Sequence, residues 1–246
     1  MGVGNWLRRT FGRDRKVVSL SGQPVYMHTE RQERPLGMAD VPPEWAESRE
    51  RYYERWFGPC TYVYHEIIPQ IPHIDVYLYP PAPERGRSFH TLVTSGMSDL
   101  PMHLPDGVDP TLGRAEILMY VPSIDVKPFP TDPILEVEML RFMARFPFEY
   151  ETWLGVGHTV PNGNPAQPIA PGSQLTTAFF LAPIGEPEGF DGGLQIDSEP
   201  VHFLWLHPIT DAECQFKLAK GSEALLELME RRYLSPVLNL SRPSLL

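Results

Sequence analysis

At 246 residues, with 42% hydrophobic and 21% charged side chains, the chain has the size and composition of one globular domain with its own core. Its net charge of −10 is uneven: residues 1–60 carry 10 basic and 8 acidic side chains, and residues 61–246 carry 11 and 23, a body of −12. Such a body repels phosphate backbones, so nucleic acid is excluded as an expected ligand and a basic protein partner is favoured.

In chain order, residues 1–40 are polar, basic and weakly periodic, and read as a loosely held arm ahead of a single domain over 41–246. Pro42 and Pro43 suit a helix start. Trp45, Arg49, Tyr52, Tyr53 and Trp56 then fall on one helical face, a pattern expected to pack into the core, until Gly58-Pro59 ends it. Strands are expected at 60–68, 73–79, 88–95 and 114–121, joined by loops too short for crossover helices and therefore antiparallel. In the second of these, Ile74, Val76 and Leu78 share one face, and His73, Asp75, Tyr77 and Tyr79 the other.

Asp132-Pro133 sets up a helix start, and the helix runs to about Phe146 with Leu135, Met139, Leu140 and Met143 inward. The Pro/Gly/Asn-rich stretch 159–172 reads as a loop. Buried strands follow at 174–182 and 200–207, with an acidic, Gly-rich hairpin region between them. Thr210 and Glu213 form a capping box, and Gly221-Ser222 opens a last helix with Leu225, Leu226, Leu228 and Met229 inward. The order predicts an α+β sandwich, a mostly antiparallel sheet flanked by helices. The 28 prolines are scattered as single breaks, which means short elements and rigid loops.

No run approaches the roughly 18 apolar residues of a membrane helix, and the first residues lack a signal-peptide core. With only Cys60 and Cys214, a reducing cytoplasm is the expected setting and no disulfide framework is expected. Both cysteines read as small hydrophobes. Thr94-Ser95-Gly96-Met97-Ser98-Asp99 lacks the first glycine of a nucleophile elbow, and no helix pattern follows it. No metal or cofactor motif is present. His73, Asp75 and His103 are the one neighbourhood that would suit a hydrolase, with His65 as a further nearby imidazole. The remaining signal is tyrosine beside carboxylate, which suits protein recognition. It makes Asp75, Tyr77 and Tyr79 on the strand, and Ser95, Met97 and Asp99 in the next loop, the candidate partner contacts; a helix covering that face would instead make the tyrosines core.

Three stretches carry a family resemblance: HIDVYLYPP with FHTLVTSGMSDLPMHLP (73–81, 89–105), RAEILMYVP with WLGVGHTVP (114–122, 153–161), and VHFLWLHPITDAECQFKLAKGSEALLELM with NLSRPSLL (201–229, 239–246). Together they resemble the Suppressor of fused (Sufu) domain family over about residues 42–246, most specifically from Thr91 to Met102. The resemblance implies a non-catalytic domain that grips a segment of another protein; animal members sequester a transcription factor and carry a further C-terminal domain. A stand-alone chain is similar to bacterial members, which implies an immunity protein masking a cognate toxin domain, for which the acidic body favours a basic surface. A regulatory peptide-binding scaffold is the other binding reading. No catalytic residue, cofactor or metal ligand is carried over.

Overall fold

In a computed structural model of the chain, the structure describes residues 17–28, 31–32, 36–37, 39–68, 70–122, 134–184 and 189–246. After a two-residue ladder, β1 (Val17–Val18) with β2 (Pro24–Val25), the first long element is α1 (Pro43–Phe57). Pro43 presets its first turn, and Gly58, at φ 85°, turns the chain away at its end. The aromatic stripe behaves as its period requires: Arg49, Tyr52, Tyr53 and Phe57 are buried, and Trp45 and Trp56 pack at the margin.

The main sheet runs in the order β3 (Tyr62–Tyr64), β4 (Asp75–Tyr79), β5 (His90–Ser95), β6 (Arg114–Val121), β10 (Glu199–Thr210), β8 (Leu175–Leu181) and β7 (Thr159–Pro161), with β9 (Leu194–Ile196) pairing β10. Neighbours are antiparallel except β6 and β10, which run parallel from Val201 opposite Arg114 to Trp205 opposite Leu118. That parallel pair had no local signature, because it joins strands about ninety positions apart. The strand expected at 60–68 keeps only its centre. The stretch read as loop from 159 begins with the edge strand β7, and β10 runs through Pro208 to Thr210.

Each strand presents alternate residues to two helical layers. On one face, α2 (Leu135–Glu149) lays Val137, Leu140, Met143 and Ala144 over Ile74, Val76, Leu78, Ile117 and Phe180. On the other, α1, α3 (Asp211–Lys220) and α4 (Ser222–Arg231) cover Tyr79, Val93, Leu118, Phe203 and Trp205. The result is the expected α+β sandwich. The expected cap at Asp132-Pro133 lies outside the described residues. Leu135 and Met139 are only half-buried, and the α2 core positions include Val137 and Ala144 instead. The Thr210–Glu213 capping box forms as read. In α4, Leu225 and Met229 are buried, but Leu226 is 39% exposed and belongs to the solvent side. Four apolar residues in five positions exceed what one face of a single surface helix accommodates.

Long-range polar ties finish the body. Glu213 holds the C-terminal residues through two 2.7 Å bonds from Arg242 and one from the Leu245 N–H. Several described residues of the N-terminal segment contact the body. The Ser21 N–H donates to the Leu218 carbonyl, His28 packs edge-on against Phe146, and Arg31 lies 2.5 Å from the fully buried Glu149 carboxylate. Cys60 is half-buried, Cys214 is buried, and both are free thiols. Among the described residues no helix is long and apolar enough to cross a membrane.

Candidate functional site

The most distinctive stretch of the sequence, Thr91 to Met102, runs from β5 into a tight 3-10 turn at Met97–Asp99. Gly96 enters that turn at φ 120°, and a Cβ there would lie 1.9 Å from the His73 carbonyl oxygen. Only glycine fits both conditions. The turn wraps a single carboxylate, Glu116, at the inner end of β6. Glu116 has no exposed surface. It accepts from the Thr94 hydroxyl (2.6 Å), the Gly96 and Ser98 N–H groups (3.0 Å each) and the Ser98 hydroxyl (2.7 Å). Burial pushes the Glu116 carboxyl up, against the pull of Arg49 and these hydrogen bonds.

Arg49 reaches in from α1 to donate to Ser95 (2.8 Å) and Asp99 (2.5 Å). Burial works against its charge, but Glu116 and Asp99 outweigh it and hold the guanidinium above its usual range. From the other side Arg114 donates to the Ser98 and Asp99 carbonyls and to Glu199, while its guanidinium lies over the Trp45 ring. The turn is thereby clamped between α1 and β6.

This geometry sorts the six candidate contacts. Tyr79 and Met97 have no exposed surface and lie in the two cores, Tyr79 under α1 and Met97 on the α2 side. Neither offers area to a partner, because the face read as outward for Tyr79 is covered by α1. Ser95 is 7% exposed and receives Arg49, and the Asp99 carboxylate is tied to the same arginine, so both act in holding the turn. Asp75 and Tyr77 remain half-exposed and adjacent on one face of β4. Burial, with the negative charges of Glu50 and Asp75, pushes the Tyr77 hydroxyl up to about 12.

Asp75 sits in a second polar cluster. It contacts His65 (2.9 Å) and His73 (3.2 Å) and accepts from the Glu66 N–H, and Glu66 in turn pairs with Arg145. His103 is exposed, with its N–H on the Thr152 carbonyl, and among the described residues no bond joins it to His73 or Asp75. The trio that would suit a hydrolase is therefore not assembled. Among the described residues no group of three or more His, Cys, Asp or Glu is arranged to hold a metal ion. The sequence reading missed Glu116, although a lone carboxylate inside the apolar run Ala115–Val121 signals a buried partner. It also missed Glu50, which only α1's position brings near Tyr77, and Glu54, which it brings near Cys60.

Fold and site together define an α+β domain whose signature turn is an internal clamp and whose half-exposed aromatic and acidic groups line a sheet edge. The Suppressor of fused protein (SUFU) family profile matches residues 70–243, and the chain belongs to that family, whose domain in Sufu is a protein-interaction domain. Among solved structures, a SUFU homologue from Neisseria gonorrhoeae is similar at 18% identity and TM-score 0.61, over 83% of this chain and 98% of that one. A Sufu protein solved in the Sufu-Fu complex is similar at 16% identity and TM-score 0.54, over 87% and 93%. Drosophila Suppressor of Fused is similar at 15% identity and TM-score 0.51, over 81% of this chain and 50% of that one. At these identities the likeness is one of fold. No curated protein matches the sequence.

Proposed function

We propose that this chain is a non-catalytic binding protein that masks the functional surface of a protein partner, of the immunity type that neutralises a toxin. One observation carries the reading: Tyr77 stands partly exposed beside Asp75, whose side chain is 18% exposed, on a body with an excess of twelve acidic charges. Acidic groups speed encounter with a basic partner, and tyrosine gives contact area at small entropic cost. Two likenesses support it. The Neisseria SUFU homologue shares the fold over nearly its whole length, and a chain of the same fold has been solved in the Sufu-Fu complex. Ser95 and Asp99 serve this surface indirectly, by fixing the turn beside it. Nuclease toxins carry basic surfaces, and an acidic mask competes there with phosphate.

The test is capture of partners from the native cell, identified by mass spectrometry, followed by calorimetry with the Asp75→Ala variant. The variant is expected to melt cooperatively and to bind at least tenfold more weakly. Unchanged affinity would remove Asp75 from the contact surface, and a captured partner that keeps its full activity would reject masking.

A further inference from the structure

We infer that the strip between α1 and edge strand β3 is a docking surface for an extended, arginine- or lysine-rich segment of a partner protein. The inference rests on the reading of the chain as a binding protein and names the partner chemistry. α1 packs over β5 and β9 and reaches β4 through Tyr53, yet the outer strands keep part of this face exposed at Tyr77 and Val63. Val63 lies opposite Tyr77 across the β3–β4 ladder, so their side chains share the α1 face, and both are half-exposed. Half-buried Cys60 continues this floor.

The rim is acidic. Glu50 and Glu54, one turn apart on α1, are exposed and form no ion pair among the described residues, and both bear on the raised Cys60 thiol. Asp75 closes the strip at one end. The neighbouring cations are engaged elsewhere: Arg49 is buried on Asp99, Arg51 pairs with Glu47, and Arg55 lies over the Trp56 ring. Among the described residues Glu50 and Glu54 therefore bring negative charge to the rim without an ion-pair partner, while Asp75 is held by His65 and His73.

The backbone of β3 is less available than its side chains. The Tyr64 carbonyl already accepts from Arg141, and the Tyr62 carbonyl from the Cys60 thiol. Recognition by strand addition is therefore blocked at these groups, and side chains must supply it. A long basic side chain suits the strip, since its aliphatic stem covers Val63 and the Tyr77 ring while its head reaches Glu50, Glu54 or Asp75.

The probe is a ten-residue peptide alternating arginine and alanine, titrated calorimetrically into the full chain at low ionic strength, with a glutamate–alanine peptide as control. Saturable one-to-one binding is expected, at least tenfold weaker for Glu50→Lys/Glu54→Lys and within twofold of wild type for Glu227→Lys/Glu230→Lys, which changes the net charge equally on α4. Bound peptide should also slow alkylation of Cys60. Absence of binding, or equal weakening by both variants, overturns the site. With a captured native partner, equal affinity for wild type and Glu50→Lys/Glu54→Lys sinks the strip but leaves the binding function standing; a wild-type chain that captures nothing overturns both.

Discussion

Gly96 combines two constraints that no other residue in the turn faces, a φ of 120° and a carbonyl oxygen occupying the place of a Cβ. The His73 carbonyl belongs to backbone, so it cannot swing aside as a flexible side chain would. Gly96→Ala should therefore cost several kcal/mol, from left-handed strain of about 1–3 kcal/mol plus the displacement of β4's entry. Denaturant unfolding checks this, and a midpoint within 0.5 M of wild type would show that the turn relaxes freely. The same displacement would pull the Gly96 N–H from Glu116, leaving a buried carboxylate short of a donor. Read alone, this stretch looks like an incomplete nucleophile motif. Its Thr94 and Ser98 instead orient a hidden carboxylate, and that was invisible because Glu116 lies about twenty residues further on.

At the scale of elements, period and capping decide most of what forms, and burial decides which side matters. The α4 run Leu225, Leu226, Leu228 and Met229 is apolar at four of five positions, so pattern alone cannot choose its inner face. Packing does choose: Leu225→Asp should unfold the chain, because an unpaired buried charge costs several kcal/mol, comparable with a domain's whole stability of roughly 5–15 kcal/mol. Leu226→Asp should shift stability by no more than about 0.5 kcal/mol. Thermal melts of the two variants settle the face, and equal losses would refute it. β4 obeys the same logic. Its alternation was legible, but α1 covers part of its second face, so Tyr79 is buried under the helix while Tyr77 keeps an exposed edge. β7 escaped notice because three residues ending in Pro161 carry too little alternation to stand out from a proline-rich loop.

For the molecule as a whole, buried histidines set the response to acid. His158 and His207 are held down to about 4, chiefly by burial, with Lys217 adding to the effect on the first and Arg242 on the second. Unfolded histidine titrates near 6.5. Between those values the unfolded chain binds protons that the folded one refuses, so stability rises with pH and is lost as pH falls from about 6.5 toward 4. Each group contributes at most about 1.4 kcal/mol per pH unit in that window. His202 runs the other way. Its pairing with Asp191 raises it, so its smaller, partly exposed contribution is present at low pH and fades as pH rises through the folded value. Urea midpoints should fall between pH 7 and pH 5, and His207→Gln should remove about half of that slope; a flat profile would contradict the burial of both rings.

The sequence by itself determined the helices, most strands, the capping box, the two-faced character of β4 and the family, because each is written in residues a few positions apart. Only the tertiary structure decided the parallel seam of β6 with β10, the contact of Ser21 with Leu218 and the closure of Glu213 on Arg242. It also decided which tyrosines keep a free edge and that Glu50 stands near Tyr77 and Glu54 near Cys60. The physical reason is the same in each case. Burial and charge pairing depend on distance in space, and chain segments tens of residues apart leave no local pattern of the neighbours they will meet.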